Sequence, residues 1–233
     1  RDLLEFDISV DHDLTTGELR ELCHENIDFL HYIGHVDEGG VVCTDGSLDL
    51  WTLDSTGVRA FLLNACHSYR QGEALVEAGA EGGIVTLSRV FNDQATKMGR
   101  LAARLLNNGF PLDATMDVLS YGPLSSHRYA AVGDHRAALC QPISSTPSLA
   151  EISKSGEENI TLRIRQYFTD SESLGRTTRP LVSEATQWNL VGGVGTEFNV
   201  SQKEISRYLQ QGSIPVLVAG DILWDPEWVL NSL

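Results

Sequence analysis

The feature of this sequence that constrains its fold most is the alternation of apolar, strand-like runs with amphipathic, helix-like segments. The strand-like runs cover residues 27–34, 58–63, 83–88 and 129–133, and the helical patterns cover residues 69–78, 93–106 and 111–119. Strands that alternate with helices of about 10–15 residues are typical of βαβ units around a parallel sheet. The pattern therefore predicts an α/β fold.

The details of the apolar runs predict where each strand lies. Residues 27–34 are too continuously apolar for a half-exposed strand, which predicts a position in the middle of a sheet covered on both faces. A run at residues 3–10 predicts an earlier strand, and the segment Thr15-Thr16-Gly17-Glu18 then opens a helix. The short runs at residues 41–43 and 48–51, which Asp45-Gly46 separates, predict a hairpin.

The character of the sequence changes after Cys140. Residues 141–147 form a Pro/Ser/Thr linker, and Ile160, Leu162 and Ile164 then alternate with polar residues, as in a strand with one solvent face. Further short apolar runs follow at residues 188–191, 197–200 and 214–218. We therefore expect two domains, residues 1–143 and a smaller, β-rich module of residues 144–233.

The charge of the chain limits its partners. Thirty-two acidic and 17 basic residues give a formal net charge of −15, which argues against a nucleic acid or an anionic membrane bound through a basic face. An acidic surface with three lysines suits high salt, where the Debye length falls to about 3 Å at 1 M. This composition favours a halophilic source, with an ordinary acidic cytosolic protein as the alternative.

Three further features bear on the cellular setting. The longest apolar stretches are far shorter than the roughly 20 residues of a membrane helix. Four widely spaced cysteines do not suggest a disulfide framework, which favours a reducing, cytoplasmic location. The chain starts at Arg1 and shows no leader pattern, so we expect an excised domain or a processed fragment.

Two of the predicted strands end in reactive side chains, one at Gly34-His35 and the other at Ala65-Cys66. The carboxyl ends of parallel strands meet at one edge of a sheet, and neighbouring strands lie about 4.8 Å apart. Such a pair suits nucleophilic thiol catalysis, because a helix N-terminus after Cys66 and a protonated imidazole both favour the thiolate. The alternative from spacing alone is a buried structural cysteine and a core histidine.

The surrounding motifs extend this pattern. They are Leu30-His31-Tyr32-Ile33-Gly34-His35, Leu62-Leu63-Asn64-Ala65-Cys66, residues 74–80 and 83–87, then Asp93 and Val132-Gly133-Asp134. In this order they resemble a CHAT domain, a caspase-like cysteine peptidase related to separases, over residues 25–136. The closest likeness is to CHAT proteins of halophilic archaea. The resemblance implies a caspase-like three-layer sandwich with a mainly parallel sheet, acting as a cytoplasmic thiol endopeptidase that needs no cofactor.

The resemblance also implies a role for each residue. Cys66 would be the nucleophile, His35 the general base and acid, and His31 a structural residue. The backbone N–H groups of Cys66 and Val36 would stabilise the oxyanion, although the family commonly has Gly where this chain has Val36. Caspase-like sheets normally have more βα structure before the histidine strand, which predicts that part of the fold lies in a missing N-terminal segment.

Three acidic residues are candidates for a substrate pocket that would receive a basic side chain. They are Asp93, Asp37 and Glu38. Asp93 fits equally well as an acid in the first turn of its helix, where it would complement the helix dipole.

Two other interpretations apply to the same region, a metal site and a second catalytic base. A metal site would draw on Cys23, His24, His31, His35 and Cys43, whose spacing is not that of a known zinc motif. His67 would be a second base, but adjacent residues at a strand end normally point apart, so it is expected to be a polar residue at a helix start. The sequence therefore predicts a Cys/His dyad and no metal.

The expected partners follow from this reading. They are a protein or peptide substrate, and regulatory domains or a partner protein outside this chain, with neither nucleic acid nor membrane. The alternative function is a catalytically inactive caspase-like module that binds a partner in a signalling or defence system.

Overall fold

The structure is a computed structural model that describes residues 7–90, 92–121, 128–141, 146–155, 159–169, 175–179, 182, 188–192, 197–210 and 212–232. Its two largest sheets have four and five strands, and both contain parallel strand pairs. Helices pack on these sheets, so the α/β class expected from the sequence is confirmed.

The N-terminal region supplies the four-stranded sheet and the helices around it. In chain order its elements are α1 (Thr16–His24), β1 (Ile27–Ile33), β2 (Val36–Asp37), β3 (Gly40–Val42), β4 (Ser47–Leu48), a 3-10 helix (Leu50–Thr52), β5 (Val58–Asn64), α2 (Tyr69–Glu77), β6 (Gly82–Thr86), α3 (Asn92–Asn107), α4 (Leu112–Ser120) and β7 (Tyr129–Gly133).

The central sheet has the strand order β1-β5-β6-β7. β1, β5 and β6 are parallel, whereas β7 runs antiparallel to β6, with Tyr129 opposite Thr86. The expectation that residues 129–133 form a strand of the same sort as the others is therefore wrong in its direction. Two helices, α3 and α4, separate β6 from β7, and they return the chain to the carboxyl end of β6 before β7 begins.

β1 lies at the edge of this sheet as far as the described residues define it, so the prediction that residues 27–34 occupy the middle of a sheet is wrong. Both faces of β1 do contact the core, since Phe29 packs on the α3 side and Leu30 on the opposite side. Ile33, at the end of the strand, is 66% exposed. A continuous apolar run indicates that both faces of a strand are covered by other elements. It does not indicate whether the strand has a hydrogen-bonded neighbour on each side.

The sheet is the middle layer of three. Along β5, Phe61 and Leu63 face a cluster formed with α1 and α2, while Leu62 faces a second cluster formed with α3 and α4. All three side chains are almost completely buried. The period-two alternation of a strand therefore joins two hydrophobic cores through the sheet.

The local sequence explains the helices of these outer layers. Thr15 caps α1 by accepting from the Glu18 N–H, and the Glu18 carboxylate accepts from the Thr15 N–H in return, which makes a capping box. On α3, Met98, Ala102 and Leu105 recur at helical spacing and are fully buried.

Two of the expected elements differ in the first fifty residues. Of the strand expected at residues 3–10, residues 1–6 lie outside the described part of the chain, and residues 7–10 are not in a strand. Ile8 and Val10 are largely exposed there, so their apolar side chains have no sheet to join. The expected hairpin is a three-stranded meander of β2, β3 and β4.

The C-terminal region is built around the five-stranded sheet β12-β9-β8-β13-β14. Its elements are β8 (Ser148–Ser155), β9 (Asn159–Gln166), β10 (Thr177–Thr178), β11 (Asn189–Leu190), β12 (Glu197–Val200), α5 (Gln202–Leu209), β13 (Val216–Val218), β14 (Asp221–Leu223) and α6 (Pro226–Asn231). In β9, Ile160, Leu162 and Ile164 are buried, as their alternation predicts. The two helices were not predicted, and they cover one face of the sheet.

The other face of the C-terminal sheet contacts α3 and α4. Leu149 of β8 and Trp224 beyond β14 belong to the same buried cluster as Met98 and Leu105 of α3. The Arg104 guanidinium of α3 lies 4.5 Å from the centre of the Trp224 ring. The layer formed by α3 and α4 is therefore shared by the two sheets. Among the helices of the described residues, none has the length and apolarity that crossing a lipid bilayer requires.

Candidate active site

The register of β1 and β5 determines where His35 and Cys66 lie. The two strands are neighbours, run parallel, and pair Tyr32 with Leu63 and Ile33 with Asn64. His35 and Cys66 each follow two residues after this last pair. The structure therefore brings the two residues to the same edge of the sheet, at the ends of adjacent strands, as their positions in the sequence predict.

Cys66 is half-buried in the turn between β5 and α2. Its Sγ atom accepts a hydrogen bond from the Val90 N–H at 3.4 Å and lies 3.8 Å from the Val90 carbonyl oxygen, to which the thiol can donate. Val90 belongs to the connection between β6 and α3. The thiol therefore faces the α3 side of the sheet and is in contact with this connection.

The backbone turns sharply just after Cys66. His67 has φ of +57°, in the left-handed region that a residue with a Cβ seldom occupies, and α2 begins two residues later. The side chain of His67 is exposed. His67 therefore lies immediately before the N-cap residue of α2, Ser68, as a polar residue of the helix start.

A buried pair of hydroxyl groups fastens this turn to β6. Ser68 Oγ donates to the Leu63 carbonyl at 2.7 Å and accepts from the Thr86 N–H at 2.9 Å. Thr86 Oγ1 donates to the Ala65 carbonyl and accepts from the Ser68 N–H at 3.2 Å. Ser68 and Thr86 are both 0% exposed. The turn that carries Cys66 is therefore held from inside the protein.

His35 is held in a different way, at the surface. Its imidazole is exposed, and its backbone N–H donates to the Tyr32 hydroxyl at 3.1 Å. The same hydroxyl lies 3.0 Å from the His35 carbonyl oxygen and 3.1 Å from the Val42 carbonyl oxygen, to either of which it can donate. Tyr32 therefore links the bend at His35 to β3.

Gly34 is required by this arrangement. A Cβ atom at position 34 would lie 2.3 Å from the Tyr32 hydroxyl oxygen and 2.6 Å from the carbon that bears it. The Tyr32 ring therefore folds over a position that only glycine fills without displacing the ring. Partial burial raises the pKa of Tyr32, which keeps its hydroxyl protonated as a donor.

The two candidate catalytic side chains are not hydrogen-bonded to each other. Within the described residues, the Cys66 thiol bonds to the backbone of Val90 rather than to the His35 imidazole. Direct contact requires the thiol to rotate away from Val90 or the surface bend at His35 to adjust. Catalytic hydrogen bonds in unliganded enzymes are often long or poorly aligned and tighten when substrate binds.

A buried polar layer lies beneath this edge. The Asn64 side chain donates to the Ala95 carbonyl at 2.7 Å and accepts from the Tyr129 hydroxyl at 3.1 Å, which ties the end of β5 to α3 and β7. Burial raises the pKa of Tyr129 to about 12. The same polar layer therefore connects three elements directly below Cys66.

His31 belongs to this layer on β1. It faces Gly99 of α3, where a Cβ atom would lie 2.7 Å from its Cε1 atom. Burial lowers the pKa of His31 to about 4, and its Nε2 atom has no hydrogen-bond partner among the described residues. His31 is therefore a neutral residue packed between strand and helix, in keeping with the structural role expected for it.

Val36, the expected second oxyanion donor, begins β2 directly after His35. It is opposite Val41, and the Val42 N–H donates to the His35 carbonyl at 3.0 Å. In an antiparallel ladder this bond makes Val36 and Val41 a non-hydrogen-bonded pair, so the Val36 N–H points away from β3. The hairpin therefore does not use this N–H.

The three acidic pocket candidates lie in different settings. Asp37 accepts from the Gly39 N–H and from the Ser47 hydroxyl, at 2.8 and 2.7 Å, and the Ser47 bond lowers the pKa of this carboxyl. Glu38 is exposed at the tip of the same hairpin. Asp93 is exposed in the first turn of α3. Asp37 thus has a structural function in the hairpin, while the pocket role of all three stays a prediction.

Three of the five residues considered as metal ligands lie on opposite faces of the sheet. Cys23 and Cys43 pack in the cluster of α1 and α2, whereas His31 faces α3. Burial raises the pKa of Cys23 to about 11 and also raises that of Cys43. Both thiols are therefore protonated at neutral pH and differ in environment from Cys66.

Sequence reasoning missed the residues that hold the backbone next to Cys66 and His35. Ser68 and Thr86 are 18 residues apart and meet only because α2 and β6 pack together. The Tyr32 hydroxyl gives no signal in the sequence, because the residue lies in an apolar strand. A polar residue within an apolar run, such as Asn64 or Thr86, was the available signal, since a buried polar group needs a partner.

No protein-family model matches the sequence, and a search of curated proteins finds no match either.

Proposed function

We propose that this protein is a caspase-like cysteine endopeptidase of the CHAT type, with Cys66 as nucleophile and His35 as general base and acid. One observation carries the proposal. The register between β1 and β5 ends at Ile33 and Asn64, which sets the histidine and the cysteine at the same edge of adjacent parallel strands. A Cys/His dyad needs its two side chains within hydrogen-bond reach of each other, and neighbouring strand ends supply the proximity from which such a contact can form.

The reaction would begin with proton transfer from the Cys66 thiol to the His35 imidazole. The thiolate then attacks the carbonyl carbon of the scissile peptide bond, and a tetrahedral oxyanion forms. His35 returns the proton to the leaving amine, the C–N bond breaks, and an acyl-enzyme remains on Cys66. His35 next removes a proton from water, which attacks the thioester carbonyl carbon. The C–S bond then breaks, the new carboxylic acid leaves, and His35 returns the proton to the Cys66 thiolate.

The oxyanion would be stabilised by the backbone N–H groups of Cys66 and Val36. The outward direction of the Val36 N–H supports this role. Each donor of this kind contributes about 3–4 kcal/mol of transition-state stabilisation in other enzymes. No cofactor takes part in this chemistry.

The substrate would be a protein or an extended peptide. Asp93, Asp37 and Glu38 give the surroundings of the site an acidic character that favours a basic residue before the cleaved bond. The net charge of −15 suggests that activity is greatest in high salt, where repulsion among the acidic groups is screened. Regulatory domains or a partner protein would control access to the site.

The experiment is cleavage of a randomised peptide library in high salt by the native chain and by Cys66→Ala. Cys66→Ala and His35→Ala are each expected to lower cleavage by about a thousandfold or more. Cys140→Ala is the matched control, because this half-buried cysteine bonds to the end of α3 and takes no part in the mechanism. Cleavage that survives in Cys66→Ala would reject the proposed function, and the library would also reveal the preferred residue.

A catalytically inactive interaction module is the second candidate. The hydrogen bonds between the Cys66 thiol and Val90 favour it, because they occupy the thiol in the described conformation. An inactive module would label Cys66 with iodoacetamide no faster than the other half-buried cysteines, Cys43 and Cys140, whereas the peptidase would label first at Cys66.

A further inference from the structure

The hydroxyl pair of Ser68 and Thr86 forms a closed set of hydrogen bonds around Cys66. Each hydroxyl donates to a carbonyl that precedes Cys66, at Leu63 or Ala65, and each accepts from the backbone N–H of the other residue. The two oxygen atoms are 3.1 Å apart. These hydrogen bonds therefore join the backbone before and after Cys66 to Thr86 in one buried network.

The same turn contains an unfavourable backbone conformation. His67 has a side chain and a φ of +57°, and such residues persist only where the surrounding structure enforces them. The residues on either side of the Cys66-His67 pair are Ala65 and Ser68, and both are bonded to Thr86. The enforcing contacts are therefore those of the hydroxyl pair.

We infer that Ser68 and Thr86 are positioning residues, whose paired hydroxyls hold His67 in its left-handed conformation and so fix the direction of the Cys66 thiol. The inference rests on the proposed function for its effect on catalysis. Its effect on the thiol itself is independent of that function. Neither hydroxyl reaches the surface, so neither contacts substrate.

The test compares Thr86→Val with Thr86→Ser. Valine keeps the branched shape of threonine and removes the hydroxyl, whereas serine keeps the hydroxyl. Thr115→Val is the matched control, because Thr115 is also completely buried, lies in α4, and has a hydroxyl without a partner among the described residues. The first readout is the rate of Cys66 labelling by iodoacetamide relative to that of Cys43, measured by mass spectrometry. The second is kcat and KM for a cleaved peptide.

Thr86→Val is expected to slow Cys66 labelling and to lower kcat by tenfold or more at unchanged KM. Thr86→Ser is expected to restore both to within threefold, and Thr115→Val is expected to change neither. A folded Thr86→Val that labels and cleaves like the native chain would overturn the inference, even if its unfolding midpoint falls, because the hydroxyl would then serve stability alone. If Thr86→Val alters the labelling of Cys66 but neither the native chain nor any variant cleaves a peptide, the positioning role of Ser68 and Thr86 is upheld and the peptidase function is rejected.

Substitution of His67 separates backbone conformation from imidazole chemistry. Glycine adopts a positive φ without strain, so in the His67→Gly background the effect of Thr86→Val on labelling is expected to shrink at least threefold. In the His67→Ala background, which keeps the strain and removes the imidazole, the full effect is expected. Folding of Thr86→Val in the His67→Gly background but not in the His67→Ala background would also support the inference, because only the strained turn would then need the hydroxyl pair. If Thr86→Val changes Cys66 labelling equally in both backgrounds, Ser68 and Thr86 do not act through the backbone conformation of His67.

Discussion

The two strand ends that carry the candidate dyad are built by opposite means. The turn after β5 is fixed by Ser68 and Thr86, which are buried and hydrogen-bonded to backbone on both sides of Cys66. The bend after β1 is fixed at the surface, where the Tyr32 hydroxyl links His35 to Val42. One residue of the pair is therefore held by buried hydrogen bonds in the core, and the other by the Tyr32 hydroxyl and by the Val42 N–H, which donates to the His35 carbonyl at the surface.

If the proposed function holds, this difference determines which of the two residues moves when a substrate binds. Moving Cys66 breaks buried hydrogen bonds, each of which leaves a polar group without a partner and costs about 1–3 kcal/mol. Moving His35 exchanges contacts that water can replace. Under the proposed function, Cys66 would therefore be the fixed partner and His35 the adjustable one.

Removing the buried hydroxyl of Ser68 is the strongest way to break this contrast. Ser68→Ala leaves the Leu63 carbonyl and the Thr86 N–H unsatisfied, and we expect it to lower the free energy of unfolding by about 3 kcal/mol. Ser120→Ala is the control, because that hydroxyl donates to Asp117 on an exposed helix end, and we expect less than about 0.5 kcal/mol. Urea denaturation at constant high salt measures both, and equal losses would show that the buried turn is no more constrained than the surface.

The buried layer under both strand ends sharpens the comparison through its pH dependence. His31 has an ordinary pKa of 6.5 and a pKa of about 4 in the folded protein, because burial disfavours its charged form. The unfolded chain therefore binds the proton more readily, and the stability that neutral His31 contributes is present above pH 6.5 and is lost as pH falls towards 4. From about pH 7 to about pH 5 this residue alone is expected to lower the free energy of unfolding by about 2 kcal/mol.

The matched variant for this effect is His31→Gln, which does not titrate. The measurement is the difference in urea midpoint between the two pH values, for the native chain and for the variant. A variant that loses as much stability as the native chain between these values would contradict the assignment of that loss to His31.

The smallest expected effect concerns the surface bend. Tyr32→Phe removes the hydroxyl that joins His35 to Val42, and we expect it to lower the free energy of unfolding by only about 1 kcal/mol. Under the proposed function it is nevertheless expected to reduce peptide cleavage severalfold, because the His35 N–H loses its partner and only the bond from the Val42 N–H still holds the bend. A large loss of stability, similar to that of Ser68→Ala, would remove the distinction between the two strand ends.

Much of this architecture was predictable because it follows from local periodicity. The buried run of β5 and the helical spacing of Met98, Ala102 and Leu105 each determine one element. The ends of the predicted strands at residues 27–34 and 58–63 then predict that His35 and Cys66 lie at the same end of the sheet. The helices α5 and α6 also have local signals in the sequence, a capping box from Ser201 to Glu204 and the pair Asp225-Pro226.

The rest depends on contacts that no short segment contains. The edge position of β1 and the reversed direction of β7 depend on which strands pair, and apolar periodicity does not encode pairing. The hydrogen-bonded pair of Ser68 and Thr86 forms only after α2 and β6 have packed together. The positive φ of His67 is a consequence of that packing, since its own side chain disfavours it.

The central claim is that Cys66 and His35 act together, and labelling of the native chain and of His35→Ala with iodoacetamide at neutral pH tests it without any substrate. Cys23 and Cys43 are internal references, because burial raises the pKa of both thiols. The account predicts that Cys66 labels at least about tenfold faster than either reference in the native chain, and that His35→Ala removes most of this advantage. Labelling of Cys66 at the rate of Cys43, or at one rate with and without His35, would contradict it.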